Sequence, residues 1–150
     1  MGYFPTGVTI VTSWRGEAPV GATINAFCSV SLDPPMLLIC LNKANPLCDP
    51  VHACRRFGVN ILGHDGDALA RHFAVAPEDE RFTVYPYRRV DGGAPQLNAA
   101  PVFIDCAVES IHTAGDHFIL TGRGLRTEHV STQPPLLYHK GDFPKLWPVA

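Results

Sequence analysis

A chain of 150 residues with 14 Pro and 13 Gly is long enough for one domain and too often interrupted for long helices. Its 46% hydrophobic and 17% charged residues exclude a disordered chain, and its longest strictly apolar run, residues 36–41, falls far short of the about 20 that a membrane helix needs. A net charge of -2 lacks the basic excess of a nucleic-acid surface.

Residues 7–14 (GVTIVTSW) alternate β-branched side chains, Arg15-Gly16-Glu17 makes a polar turn, and residues 19–25 (PVGATIN) return as the second strand of a predicted hairpin. Residues 29–32 start another extended piece, closed by Asp33-Pro34-Pro35, since Pro34 keeps Asp33 out of the helical region. Residues 36–41 (MLLICL) read as a short strand buried on both faces. Pro46 and Pro50 limit residues 43–54 to at most a short helix. Residues 56–62 (RFGVNIL) are the next strand. The best helix is 65–73 (DGDALARHF), with an acidic start and Leu69 and Phe73 four apart. Residues 75–101, with Pro77, Pro86 and Pro95 outside any periodic pattern, read as a long surface excursion.

Residues 102–113 and 117–127 are long β-rich runs joined by a tight turn at Ala114-Gly115-Asp116, and 136–139 is a last short strand. Six or seven strands with one or two short helices predict a closed or nearly closed β-barrel, with a two-sheet sandwich as the alternative. The barrel removes exposed edges more economically in a small domain.

Chemistry is harder to find. The cysteines are Cys28, Cys40, Cys48, Cys54 and Cys106; an odd count, with Cys28, Cys40 and Cys106 inside apolar runs, predicts buried reduced thiols. Cys48, His52 and Cys54 cluster around Pro50 without the paired spacing or fourth ligand of a structural zinc, so a surface turn is expected and no metal. There is no nucleophile elbow, Walker lysine or dinucleotide glycine fingerprint. No signal peptide or lipidation signal is present, which makes the cytoplasm the expected location, without a membrane or nucleic-acid partner.

What remains is polar. Thr23, Asn25, Ser29 and Ser31 lie between two apolar strands, and Asn42-Lys43-Ala44-Asn45 directly follows residues 36–41. Small hydroxyl and amide groups with one cation suit a planar ligand that carries phosphate. The same residue types also serve as turn caps, and both readings stand open. His117, opening a strand after Gly115-Asp116, is either a solvated side chain or an imidazole placed over a ligand.

Several ordered motifs now converge. Residues 4–12 (FPTGVTIVT), 19–35 (PVGATINAFCSVSLDPP), 56–62 (RFGVNIL), Gly115-Asp116-His117 and 135–141 (PLLYHKG) together resemble the flavin reductase-like, split-barrel flavin-binding family over nearly the whole chain. The resemblance implies a mainly β, Greek-key split barrel that forms a homodimer, with flavin at or near the subunit interface. It also implies an NAD(P)H-dependent reductase of FMN or FAD that supplies reduced flavin to a partner monooxygenase.

By the same resemblance, Thr23, Ile24, Asn25 and Ala26 would meet the flavin ring and ribityl chain, and Ser29 and Ser31 would add hydrogen bonds. Asn42, Lys43 and Asn45 would take the phosphate end. His117, beside Asp116, would face the nicotinamide as the catalytic-site residue, while Thr6, Tyr138 and Lys140 would help hold the dinucleotide.

The chain departs from the family in three places. Leu47 and Cys48 stand where relatives often carry Ser or Thr followed by His, and Asn25-Ala26 replaces the commoner Ser-Ser. The family's N-terminal helix is expected to be missing ahead of Met1-Gly2-Tyr3, with 1–150 forming one domain. Two alternatives are a flavoprotein that retains FMN and passes electrons to a protein or corrinoid, and a non-catalytic flavin-binding module. Gly115-Asp116-His117 argues against the module, which has no need of a nicotinamide contact.

Overall fold

The computed structural model describes residues 2–146, so the expected domain limits of 1–150 reach past the described residues at both ends. Strands β1 (Thr6–Gly7), β2 (Thr9–Arg15), β3 (Ala18–Ile24), β4 (Phe27–Leu32) and β5 (Pro35–Asn42) lead to helix α1 (Cys48–Cys54) and strand β6 (Arg56–Ile61). Helix α2 (Asp67–Val75), a 3-10 turn (Glu78–Glu80), helix α3 (Arg81–Val84) and the short strands β7 (Tyr87–Arg88) and β8 (Gln96–Leu97) follow. Long strands β9 (Val102–Ala114) and β10 (His117–His129) and a short β11 (Leu137–Tyr138) complete the order.

Seven strands form one antiparallel sheet in the order β3-β2-β6-β9-β10-β5-β4. Although β3 and β4 end that order, Val20, Ala22 and Ile24 of β3 share one core with Leu37, Ile39 and Leu41 of β5. The sheet has therefore rolled into a barrel that is split between β3 and β4, the mainly β architecture expected. Helix α1 carries the chain across one end of the roll, from β5 to the non-adjacent β6, and plugs it with Leu47, Cys48 and Val51. Gly122 of β10 lets Phe57 fill the interior, since a Cβ there would overlap the Phe57 ring.

A second apolar layer lies outside the barrel. Leu69, Ala70 and Phe73 of α2 pack with Val8, Ile10, Leu62 and Leu97 against the outer face of β2. Strand β2 is consequently buried on both faces, from Thr9 to Ser13. Strand β5 was the one expected to be so, and it is not: Leu37, Ile39 and Leu41 are buried, while Met36, Leu38 and Cys40 are only half-buried on the other face. A fully apolar sequence does not say whether a second layer covers it.

The expected surface excursion over 75–101 also needs correction. It contains the third helix, α3, and two short strands, and Gly93, Ala94, Pro95, Gln96 and Leu97 are all buried. Polar side chains on neighbouring strands bind it down. Thr12 Oγ1 donates to the Pro95 carbonyl at 2.6 Å, Leu97 N–H donates to Asn60 Oδ1 at 2.8 Å, and Ala94 N–H donates to Asp105 Oδ1 at 3.2 Å. Trp14 Nε1 adds a bond to the Gly93 carbonyl at 2.8 Å. Asp105 also accepts from Arg56, with Nε at 3.0 Å from Oδ1.

Smaller differences are local. The second helix begins at Asp67 and runs to Val75. Cys106 is buried and Cys40 is half-buried, but Cys28 is exposed, because it lies on the uncovered edge strand β4; all five cysteines are free. Burial pushes the Cys106 thiol up to about 12, so it stays protonated and unreactive at neutral pH.

Asn60→Ala leaves the buried Leu97 N–H without its acceptor and also removes the Nδ2 bond to the Ile10 carbonyl. The expected loss is about 2–4 kcal/mol of folding stability, read as a lower urea midpoint at unchanged m-value.

Candidate functional site

One rim of the barrel gathers much of the expected polar set. Strand β5 ends at Asn42 and β10 begins at His117, and the ladder places these two residues opposite each other. Gly115, with φ +60°, makes the tight turn between β9 and β10. That turn is tied to the loop after β5: Lys43 N–H donates to the Asp116 carbonyl at 2.9 Å, and Lys43 Nζ donates to the Gly115 carbonyl at 2.6 Å.

The two asparagines of this loop are oriented by their own backbone. Asn42 Oδ1 accepts from Ala44 N–H at 2.9 Å, and Asn45 Oδ1 accepts from Leu47 N–H at 3.0 Å. These are turn caps, as one sequence reading held. With each carbonyl end committed, each Nδ2 is left as a donor. Two amide donors and one ammonium group within four residues are a donor set of the kind a phosphate accepts from, so the capping and binding readings are compatible.

His117 Nδ1 lies 2.7 Å from Asp116 Oδ1. The hydrogen bond and charge of His117 hold the Asp116 carboxyl below the usual carboxylate range. Asp116 is therefore an ionised acceptor at neutral pH, His117 Nδ1–H donates to it, and Nε2 is the ring atom free to meet a ligand. Among the described residues no group of three His, Cys, Asp or Glu could hold a metal ion. Cys48 Sγ donates to the Asn42 carbonyl, Cys54 Sγ lies 3.0 Å from Ser13 Oγ, and the His52 ring packs on Phe118 with centroids 5.1 Å apart.

Around the corner from the rim, the β3–β4 connection brings in Asn25 and Ala26. The Ala26 carbonyl accepts from Cys40 N–H at 3.0 Å, which sets this connection beside the end of β5. Asn25 Nδ2 donates to Thr6 Oγ1 at 3.3 Å, and Thr6 pairs with Tyr138 in the β1–β11 ladder. Asn25, Thr23 and Tyr138 line a cleft of about 440 Å³ between α2 and the segment after β11. A hollow of about 250 Å³ lined by Thr6, Asn25 and Phe27 adjoins it.

Other members of the expected set lie differently. Ile24 is buried in the barrel core, with its carbonyl accepting from Thr9 Oγ1 at 2.8 Å. Thr23 Oγ1 is committed to the Ala70 carbonyl at 2.6 Å, so it docks α2. Ser29 and Ser31 lie farther along β4, in a separate groove of about 470 Å³. Lys140, with φ 53°, places its ammonium 4.0 Å from the Tyr3 ring centroid. Sequence reasoning missed Arg71 and Phe143, which also line the cleft. The available signal was the face of α2 opposite Leu69 and Phe73, where Arg71, Ala74 and Val75 recur at helical spacing.

Residues 1–146 match the family model described as "Flavin reductase like domain". The reductase subunit HsaB of a flavin-dependent monooxygenase from Mycobacterium tuberculosis is 32% identical, over 99% of this chain and 80% of that protein. The FMN reductase (NADH) SmoA of Agrobacterium fabrum is 34% identical, over 95% of this chain and 80% of that protein. Among solved structures, the NADH:FAD oxidoreductase SgcE6 of Streptomyces globisporus, in complex with NAD and FAD fragments, superposes with a TM-score of 0.92. It shares 35% identity and covers 99% of this chain and 90% of its own.

Because its folded-state value is depressed, ionised Asp116 stabilises the fold above the ordinary carboxylate range, and that contribution is lost as pH falls through the depressed value. Carboxyl NMR titration is expected to find Asp116 below the ordinary carboxylate range. In His117→Ala it should return to the ordinary range; no change on that substitution would refute the pairing.

Proposed function

The chain belongs to the flavin reductase like family, and on that footing we propose that it is an NAD(P)H:flavin oxidoreductase that supplies reduced FMN or FAD to a partner monooxygenase. The observation that carries this reading to the chain's own residues is the convergence of Asn42, Lys43, Asn45 and the Asp116–His117 pair on one rim. When bound, flavin and nicotinamide supply the hydride chemistry themselves. The protein's part is to hold them in contact and keep water out.

The donor types fit a flavin phosphate: Lys43 Nζ brings the charge, and the Nδ2 groups of Asn42 and Asn45 add neutral donors. The small Asn25-Ala26 corner lets a planar ring lie close to the backbone, with Ser29 and Ser31 offering hydroxyls farther along β4. His117 orients the nicotinamide through Nε2, and Asp116 keeps the ring in the required tautomer. Thr6, Tyr138 and Lys140 lie on the side from which the dinucleotide enters. With Asn42 and Lys43 exposed, the grip on phosphate is open to solvent, which suits a protein that releases its reduced flavin.

We further propose a homodimer, one domain per subunit, acting in the cytoplasm. The support for the dimer is the uncovered outer face of β4, β5 and β10. Opposed residues share a face, so Cys28, Leu38 and Thr121 form one row, and Cys40 and Ile119 another. Val30, 48% exposed at the register shift of β4, carries this surface toward the sheet edge. Among the described residues no helix is long and apolar enough to cross a membrane.

Mixed with NADH or NADPH and either FMN or FAD, the protein is expected to consume the nicotinamide absorbance. His117→Ala should raise the KM for NAD(P)H more than that for flavin. No turnover with any pair would reject the reductase reading, and equal effects on both KM values would reject the role of His117.

Leu38→Glu places a charge on the half-buried outer face. Sedimentation is expected to show a dimer for the parent protein and a monomer for the variant. A monomeric parent would exclude the proposed assembly.

A further inference from the structure

Strand β10 outruns its neighbour on one side. It pairs with β9 from His117 to His129, but with β5 only from His117 to Arg123, because β5 starts at Pro35. Residues 124–129 therefore have a ladder on one side and an open notch on the other. A groove of about 470 Å³ opens there, its lining including Leu125, Arg126 and Thr127 together with Pro35 and Met36. Leu125 is the extra residue of a bulge, and pairing with β9 is regular again from Arg126 to His129.

The ladder fixes which main-chain groups face the notch. Val130 N–H donates to the Pro101 carbonyl at 2.7 Å, on the β9 side. Bonding direction alternates along an antiparallel strand, so Glu128 and Arg126 also turn toward β9, while Thr127 and His129 turn their N–H and C=O groups into the notch. Among the described residues no hydrogen bond from another segment meets those groups. The sheet's other free edges are interrupted: Arg81 Nη1 occupies the Gly21 carbonyl of β3 at 2.6 Å, and β4 shifts register at Val30.

Unpaired main-chain groups along an open edge accept another strand. Charge says which one. Arg126-Thr127-Glu128 is self-complementary: an antiparallel copy centred on Thr127 sets Arg126 of each chain opposite Glu128 of the other. A two-fold axis at Glu128 would instead oppose two carboxylates. Glu128 is held in place by Arg88 and by Gln96 Nε2 at 3.1 Å, and Arg126 already pairs with it within the chain. In the Thr127 register His129, the last residue of β10, lies opposite Leu125, so the paired stretch stops short of Gly124, where Pro35 lies alongside.

We propose that the notch binds the same strand of a second copy, antiparallel about a two-fold axis through Thr127. Five residues a side are far fewer than the about 20–30 of a stable interface, so this association is weak and depends on concentration. It uses a strand edge, whereas the homodimer proposed above uses the outer face around Leu38, and it does not rest on that reading.

Sedimentation equilibrium of the full chain, from about 10 μM to about 1 mM, is expected to show the mean mass rising from its low-concentration value toward at least twice that value. Thr127→Pro removes an N–H that faces the notch and not the β9 ladder, so the rise should vanish with thermal unfolding unchanged. If that variant unfolds, Arg126→Glu carries the test: it opposes like charges and should raise the Kd of the association about tenfold, while Arg126→Lys keeps it. In Leu38→Glu the rise should persist from the smaller unit, so the edge and the outer-face readings fail separately. A constant mean mass in the parent overturns the edge pairing. So does a rise that Arg126→Glu leaves unaltered, or one that Leu38→Glu abolishes.

Discussion

Strand β10 runs antiparallel to β5 with His117 opposite Asn42 and Leu120 opposite Ile39. That register does two things at once. It sends Leu120 and Ile39 into the barrel core, and it sets the His117 backbone beside the loop that carries Lys43 and Asn45. A slip by one residue would turn every β10 side chain to the other face, exposing Leu120 and separating the rim groups. Core stability and site assembly are therefore one constraint. The Lys43 bonds to Gly115 and Asp116 fasten the turn in that register at its open end.

The outer layer serves a different purpose. Helix α2 is docked by Thr23 Oγ1 on the Ala70 carbonyl and by Leu69 and Phe73 against the outer face of β2. Once those contacts fix its rotation, Arg71, Ala74 and Val75 face the cleft. The buried polar groups Thr12, Asn60 and Asp105 hold residues 93–97 against the neighbouring strands in the same way. Each would be costly if unpaired, so the loop and its partners specify one arrangement.

The chemistry of the rim is positional. An ionised Asp116 fixes which nitrogen of His117 carries its proton, and two backbone N–H groups fix which end of Asn42 and of Asn45 faces out. No proton-transfer dyad is needed where the cofactors carry the reaction. The thiol of Cys106 is buried and held protonated by desolvation.

The sequence by itself determined what neighbours along the chain can decide. The hairpins over 7–25 and 102–127, the Gly115 turn, the helix containing Leu69 and Phe73 and the capping role open to the asparagines all follow from period and turn residues. The ordered motifs identified the family. Only the tertiary structure decided that β2 is covered on both faces and β5 on one, that residues 93–97 are buried, and that Cys28 is exposed. It also decided that Thr23 holds a helix and that Arg71 and Phe143, distant in sequence, share a cleft with Asn25. The reason is physical. Alternation specifies which side chains share a face, but what lies against that face depends on segments tens of residues away, joined by contacts that no local pattern encodes.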